Sequence, residues 1–500
     1  MTKNFKDILK GSGVILSMTI GGAFIGFLLR MMLTRRLEVE DFGLFYAIIG
    51  FLSPISLLKN FGVNRAMTKF LPEFQQAGSL NRMKEALNWG MLVSITTSLM
   101  VTLPFFFLSN WISEGFFHAP QASEYFRIML VYLVIGTMGG VFAAFFHGLK
   151  RPLLLSFRSL FPPLFILSVV FFYAGVNLSE LCFVYLSAEA IVLFFSIFVL
   201  LRVFPYFRIN SSLSLSGFKK LLSFGLKAMS SPLVNRIFGR LDIILLTYFQ
   251  SLSQVGFYSA AQPFSRLFMI FGSSVGKMML PYSSEIFASG NKSELKKIIH
   301  NLQRLTLFLL MPIAIVFFLF SAQLLFILFG KSYEAGSLVV RLLVIGTLIH
   351  SLTIINTNVL TGIGHPLKVT KMTALSSTFN LGGNILLIPF WGMDGAAISS
   401  LFSYAVMFTA SCGYMKSLLG QSFDLGLLVR IFLSSTVMIL LLLGVKIFIT
   451  GNIWKILLVF FPIASILYLL ASLVLGIVKK EEIRRIIMKK EPKVLIRNDE

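Results

Sequence analysis

Apolar stretches of about 20 residues, separated by short polar connections, recur from one end of the chain to the other, and that is the length a helix needs to cross a bilayer. About fourteen can be marked, at 11–33, 42–66, 86–108, 126–148, 153–175, 181–203, 222–249, 255–280, 303–329, 338–361, 368–390, 395–418, 426–449 and 453–478. The pattern predicts an all-α membrane protein of about 14 transmembrane helices. The polar connections give it an orientation. With Lys3, Lys6 and Lys10 inside, alternate connections carry Arg82 and Lys84, Lys150 and Arg151, Arg208 with Lys219 and Lys220, Lys292 with Lys296 and Lys297, Lys368 and Lys371, then Lys416. The intervening connections carry almost no basic residues, so positive charge on the inner side predicts that both termini are cytoplasmic.

Composition agrees. Hydrophobic residues make up 56% of the 500 and charged residues only 13%, with mean hydropathy +0.85, which excludes a soluble domain. The net charge of +23 is spread over short loops and a basic tail from Lys479 to Arg497, so it follows membrane topology and does not indicate a nucleic-acid partner. The tail reads as a cytoplasmic segment that touches anionic membrane lipids. The two cysteines, Cys182 and Cys412, both fall in apolar spans and indicate neither a disulfide framework nor a metal set. Residues 1–10 are polar and basic and the first apolar stretch is full length, so no cleavable signal is expected. There is no GxxxxGK[ST] motif for ATP, and no cofactor is expected.

An internal repeat organises the spans. LVIGT occurs at Leu133–Thr137 and again at Leu343–Thr347, and LTRRLEVEDFGLFYA around Gly43 parallels LTYFQSLSQVGFYSA around Gly256; the offsets are 210 and 213 residues. Both matches fit duplication of a six-helix unit: an N-terminal lobe at 1–215, a second at 216–420, two further helices at 421–478 and the basic tail at 479–500. Six is even, so both lobes keep one orientation and are related by an axis along the membrane normal.

Charge inside the spans marks the chemistry. The segment from Lys227 to Phe249 carries Arg236, Arg240 and Asp242, each costing at least about 2.5 to 3.5 kcal/mol near the bilayer centre. Arg236 and Arg240 share one helical face, and Pro232 and Gly239 weaken the helix beside them. Arg30, Lys59, Arg65, Arg266 and Lys277 are the other basic residues found within the first two helices of each repeat. Arg30 and Arg65 lie near helix ends where snorkelling is the alternative; Lys277 and Lys227 also suit an interfacial place. Of the acidic residues, Asp242 and Glu189 can bind Na+ or a proton. The alternatives are an ion pair of Asp242 with Arg236 or Arg240, and a hydrogen bond of Glu189 within the N-terminal lobe.

The pattern of the first helices, Asp242 followed by VGFYSAA, LPYSSE at Leu280–Glu285 and NILLIPFWGMDGAAISS resemble the polysaccharide transporter branch of the multidrug/oligosaccharidyl-lipid/polysaccharide exporter superfamily, the O-antigen-type flippases. The resemblance covers roughly residues 10–420. It implies two six-helix lobes, alternating access, and transfer of a polyprenyl- or dolichyl-phosphate-linked oligosaccharide from the cytoplasmic to the outer leaflet of the cell membrane, beside glycan-assembly enzymes. It also implies cationic residues in the first two helices of each lobe as phosphate ligands, which selects Arg30, Arg65, Arg236, Arg240 and Lys277. A multidrug exporter or a peptidoglycan-precursor flippase of the same superfamily is the alternative. An enzyme is not expected: the longest external loop, around Asn110–Glu124, has neither metal spacing nor a folded domain.

Overall fold

The computed structural model describes residues 3–149, 152–173, 175–210, 212–421, 423–448 and 456–478; the side chains at 3–17, 19, 152–156, 230–238, 448 and 456–457 lie outside that description. Every regular element among the described residues is helical. In order they are α1 (Lys3–Arg36), α2 (Val39–Leu58), α3 (Val63–Gln76), α4 (Leu80–Phe107), α5 (Ser109–Gly115), α6 (Ala122–Gly148), α7 (Pro152–Phe172), α8 (Leu178–Val203), α9 (Leu215–Phe238), α10 (Leu241–Phe249), α11 (Leu252–Ala288), α12 (Lys292–Leu319), α13 (Ser321–Phe329), α14 (Ser337–Gly362), α15 (Pro366–Leu419), α16 (Leu425–Phe448) and α17 (Phe461–Val474). Among the described residues eight are long and apolar enough to cross a membrane, with shorter apolar helices at Phe157–Phe172 and Leu458–Val474. The 54-residue α15 is two helices joined at Gly392, whose φ of 53° and ψ of −131° are not helical. The chain is a multi-pass membrane protein.

Besides 303–329, which divides at Phe320 into α12 and α13, two expected spans are each broken in two. The stretch 42–66 becomes α2 and α3, because Phe61 (φ 44°) and Gly62 (φ 73°) turn left-handed, and the Asn60 side chain accepts from the Gly62 N–H at 3.1 Å. The stretch 222–249 becomes α9 and α10, separated by Gly239 and Arg240. The second break sits where glycine weakened the pattern.

The chain folds as two compact units. The first comprises Met1–Pro263, Leu325–Gly336 and Leu381–Ala396; the second comprises Phe264–Leu324, Ser337–Asn380 and Ala397–Glu500. The repeat and the packing units are different divisions, since residues 216–263 group with the first unit. A reciprocal contact explains part of this: a Cβ on Gly43 would overlap the Leu252 carbonyl, and one on Gly256 would lie 2.7 Å from the Val39 carbonyl. Gly43 and Gly256 occupy matching repeat positions, as do Val39 and Leu252, so the two segments meet by a local pseudo-two-fold. The first unit's core is built from Val63, Met67, Phe70, Leu87, Phe145 and Phe204, among others. The second packs Leu295, Ile299, Ile355 and Val359 beside a buried chain in which Gln303 donates to Asn356 at 2.8 Å and Asn356 to Ser411 at 3.0 Å.

Candidate functional site

A cavity of about 740 Å³ lies within the first unit. Helix α2 contributes Ile49, Leu52, Ser53, Ser56 and Lys59, at the spacing that keeps residues on one helical face. Lys59 caps the C-terminal end of α2 at the first helix break, and its carbonyl accepts from Thr97 Oγ1 at 2.7 Å. Helix α6 adds Tyr132, Leu133 and Gly136, α8 adds Tyr185 and Glu189, and α7 adds Arg158. Gly239 and Arg240 enter from the second break, where Arg240 is the N-cap of α10. Each break thus brings one cation to the cavity, and α10 also brings its N-terminal end, the positive end of a helix dipole.

The lining holds three cations, Lys59, Arg158 and Arg240, against one carboxylate, Glu189. Arg158 Nη2 donates to the Gly136 carbonyl at 2.7 Å and to Glu189 Oε2 at 3.3 Å. Serine and tyrosine hydroxyls complete a wall that suits a polar anion: at an effective dielectric of 20 a unit anion 4 Å from a cation gains about 4 kcal/mol before desolvation.

The residues selected from the sequence fall in different places. Arg240 lines the cavity. Arg236 lies among the residues whose side chains are not described. Arg30, 8% exposed, donates from Nε to the Tyr46 hydroxyl at 2.9 Å and from Nη1 to the Ser259 carbonyl at 2.7 Å, with its guanidinium 4.3 Å from the Tyr46 ring. Arg65 is exposed on α3 and donates to the Ala228 carbonyl at 2.5 Å. Lys277 is exposed on α11, in the second unit. Asp242 accepts from the Tyr258 hydroxyl and from the Asn384 amide, each at 2.7 Å. Glu189 is buried and paired with Arg158.

A family described as polysaccharide biosynthesis protein matches residues 32–338, more than half of the chain. The chain belongs to this family. An uncharacterized membrane protein of Methanocaldococcus jannaschii is 28% identical over 423 residues, 80% of this chain and 82% of that one. The "Probable low-salt glycan biosynthesis flippase" of Haloferax volcanii is 24% identical over 242 residues, 48% of this chain and 51% of its own length. Among solved structures, a lipid II flippase in an inward closed conformation superposes with a TM-score of 0.72 at 14% identity, covering 95% of this chain and 99% of that one. The resemblance read from the sequence is borne out, and the all-α fold is shared with transporters of the multidrug/oligosaccharidyl-lipid/polysaccharide exporter superfamily.

Sequence reasoning missed Arg158, although it lies in the stretch 153–175. Placed six residues after Pro152 and close behind Lys150 and Arg151, it looks like the edge of a cytoplasmic basic cluster. The signal that marks it is on another helix: GTMGG at Gly136–Gly140, where Gly136, Gly139 and Gly140 leave room for a guanidinium.

Proposed function

We propose that this protein is a flippase that carries a polyprenyl- or dolichyl-(di)phosphate-linked oligosaccharide from the cytoplasmic to the outer leaflet by alternating access of its two repeat lobes, 1–215 and 216–420. The observation that carries this reading is the cavity, where two broken helices and α7 place three cations around one carboxylate among hydroxyls. A phosphate needs fixed positive charge to enter a low-dielectric path, and a sugar needs hydroxyl partners. Membership in a polysaccharide biosynthesis family and a relative named as a glycan biosynthesis flippase support the same substrate class. A cationic drug meets an excess of like charge here, which disfavours the multidrug alternative; a peptidoglycan-precursor lipid shares the phosphate chemistry and differs in its sugar. Both termini lie in the cytoplasm of this reading, the chain transports and does not catalyse, and glycan-assembly enzymes supply and consume its substrate.

Within this reading Arg240, with Lys59 and Arg158, holds the phosphate, while Arg30 and Arg65 tie helices together in the conformation described. Asp242, a carboxylate within a membrane span, is the ion-coupling residue for Na+ or a proton. Arg240→Gln keeps the size and polarity of the side chain and removes its charge. It is expected to cut transport about ten- to a hundredfold, the worth of a lost charged hydrogen bond, with membrane insertion unchanged. The measurement is the sidedness of lipid-linked oligosaccharide, read with a membrane-impermeant lectin: accumulation on the cytoplasmic leaflet supports the reading, and wild-type sidedness overturns it.

A further inference from the structure

The Arg158–Glu189 pair occupies a place whose counterpart in the second unit can be read from the repeat. Gly136 of the first LVIGT corresponds to Gly346 of the second, so Met138–Gly139–Gly140 corresponds to Leu348–Ile349–His350. Ala188–Glu189–Ala190 on α8 likewise corresponds to Ser403–Tyr404–Ala405 on α15. Contacts within each unit confirm the match: a Cβ on Gly136 would lie 3.6 Å from the Glu189 carboxylate, and one on Gly346 would lie 3.0 Å from the Tyr404 ring.

The same position is furnished in opposite ways. In the second unit it is filled by rings, His350 stacked on Tyr404 with centroids 4.6 Å apart and planes at 28°. In the first, Gly139 and Gly140 leave a slot, and the Arg158 guanidinium sits in it: a Cβ on Gly139 would lie 2.7 Å from Nη1. Arg158 and Glu189 both border the cavity.

An ion pair is a poor way to fill such a slot. Desolvating two charges costs several kcal/mol per ion, and packed apolar or aromatic groups often do as well or better. Both units also bury a nitrogen without a partner among the described residues, Arg158 Nη1 in the first and His350 Nδ1 in the second, and the penalty is larger on the charged group. Stability is therefore better served by the ring pair of the second unit, and the pair in the first is explained by what can enter from the cavity.

We propose that Arg158 is a phosphate-binding residue and that Glu189 is a built-in counter-ion which the anionic headgroup displaces. Glu189 neutralises Arg158 when no substrate is bound, and a phosphate oxygen takes over Nη2 and satisfies Nη1 when the headgroup arrives. The carboxylate thus competes with the ligand, and only a group that is strongly anionic wins. This rests on the cavity being a phosphate site, as proposed above.

The test uses the purified full chain in detergent, titrated calorimetrically with farnesyl diphosphate, with farnesol as the uncharged control. Arg158→Gln is expected to weaken binding about tenfold or more, the loss of a charged hydrogen bond. Glu189→Gln, which keeps an oxygen to accept from Arg158, is expected to tighten binding about threefold, within the range for a partly exposed ion pair. In the double variant the Glu189 gain should vanish, because there is no longer a cation for which to compete. Arg158→Lys retains the charge and guards against a folding defect, and it should bind better than Arg158→Gln. Weaker or unchanged binding in Glu189→Gln overturns the proposal, because a purely structural pair gives that result. If farnesyl diphosphate binds the wild-type chain no better than farnesol, the phosphate reading of the cavity fails and this proposal with it. Binding indifferent to every substitution at 158 and 189 overturns this proposal alone.

Discussion

Asp242 is a carboxylate set within an apolar stretch, and both of its oxygens are engaged. Tyr258 and Asn384 each donate to it at 2.7 Å, one to each oxygen. A carboxylate inside a membrane span can take up a proton or a metal cation, which an amide cannot. Asp242→Asn removes that capacity while nearly preserving shape. Transport should then lose its dependence on an imposed Na+ or proton gradient, and a variant that still responds to either gradient like the wild type would sink the coupling role. Tyr258→Phe deletes one neutral hydrogen bond, worth about 1 kcal/mol, and should retain gradient dependence. The importance of Asp242 was legible from its place in an apolar span, but these two partners were not: Tyr258 is 16 residues away and Asn384 is 142 away.

Helix breaks place the cations, and their physics is local. Gly62 (φ 73°) and Gly78 (φ 64°) are both left-handed, so alanine at either costs about 1 to 2 kcal/mol of backbone strain. They differ in their neighbours. A Cβ on Gly78 meets nothing within 4 Å, whereas one on Gly62 would overlap the backbone of Gly225 on α9, and backbone cannot swing aside as a side chain can. Gly62→Ala should lower the melting temperature of the detergent-solubilised protein clearly more than Gly78→Ala, and it should also impair transport by shifting Lys59, three residues before it. Equal shifts in melting would show that the α3–α9 contact is unimportant. The break at Gly239 could be anticipated because glycine and charge coincide there. The one at Phe61–Gly62 could not, because its first left-handed residue is a phenylalanine, a type that sequence alone never assigns to that region. Hydrophobic length, by contrast, marked nearly every helix, since crossing a bilayer leaves few alternatives.

The two halves of the molecule share a scaffold and differ in what they put on it. Thr137 and Thr347 each donate to the carbonyl four residues back, Leu133 and Leu343, at 2.7 Å. Arg127 clamps Ser109 at 2.6 Å in one half, as Arg341 clamps Ser321 at 2.9 Å in the other. Against that shared frame, the ring stack of His350 and Tyr404 stands where the first half has glycines and an ion pair. If one half has been given over to the ligand and the other to packing, substitutions at matching positions must separate binding from stability. His350→Ala removes a half-buried ring stacked on Tyr404, and losing such an aromatic pair costs about 0.5 to 1.5 kcal/mol beyond the buried area. Its melting temperature should fall, while its affinity for farnesyl diphosphate stays within about twofold of wild type, since His350 is not among the residues described as lining the cavity. Arg158→Gln should do the reverse, losing affinity with little change in melting. If His350→Ala weakens ligand binding as much as Arg158→Gln does, the division of labour between the halves is wrong, and the second half would have to be counted as part of the binding machinery.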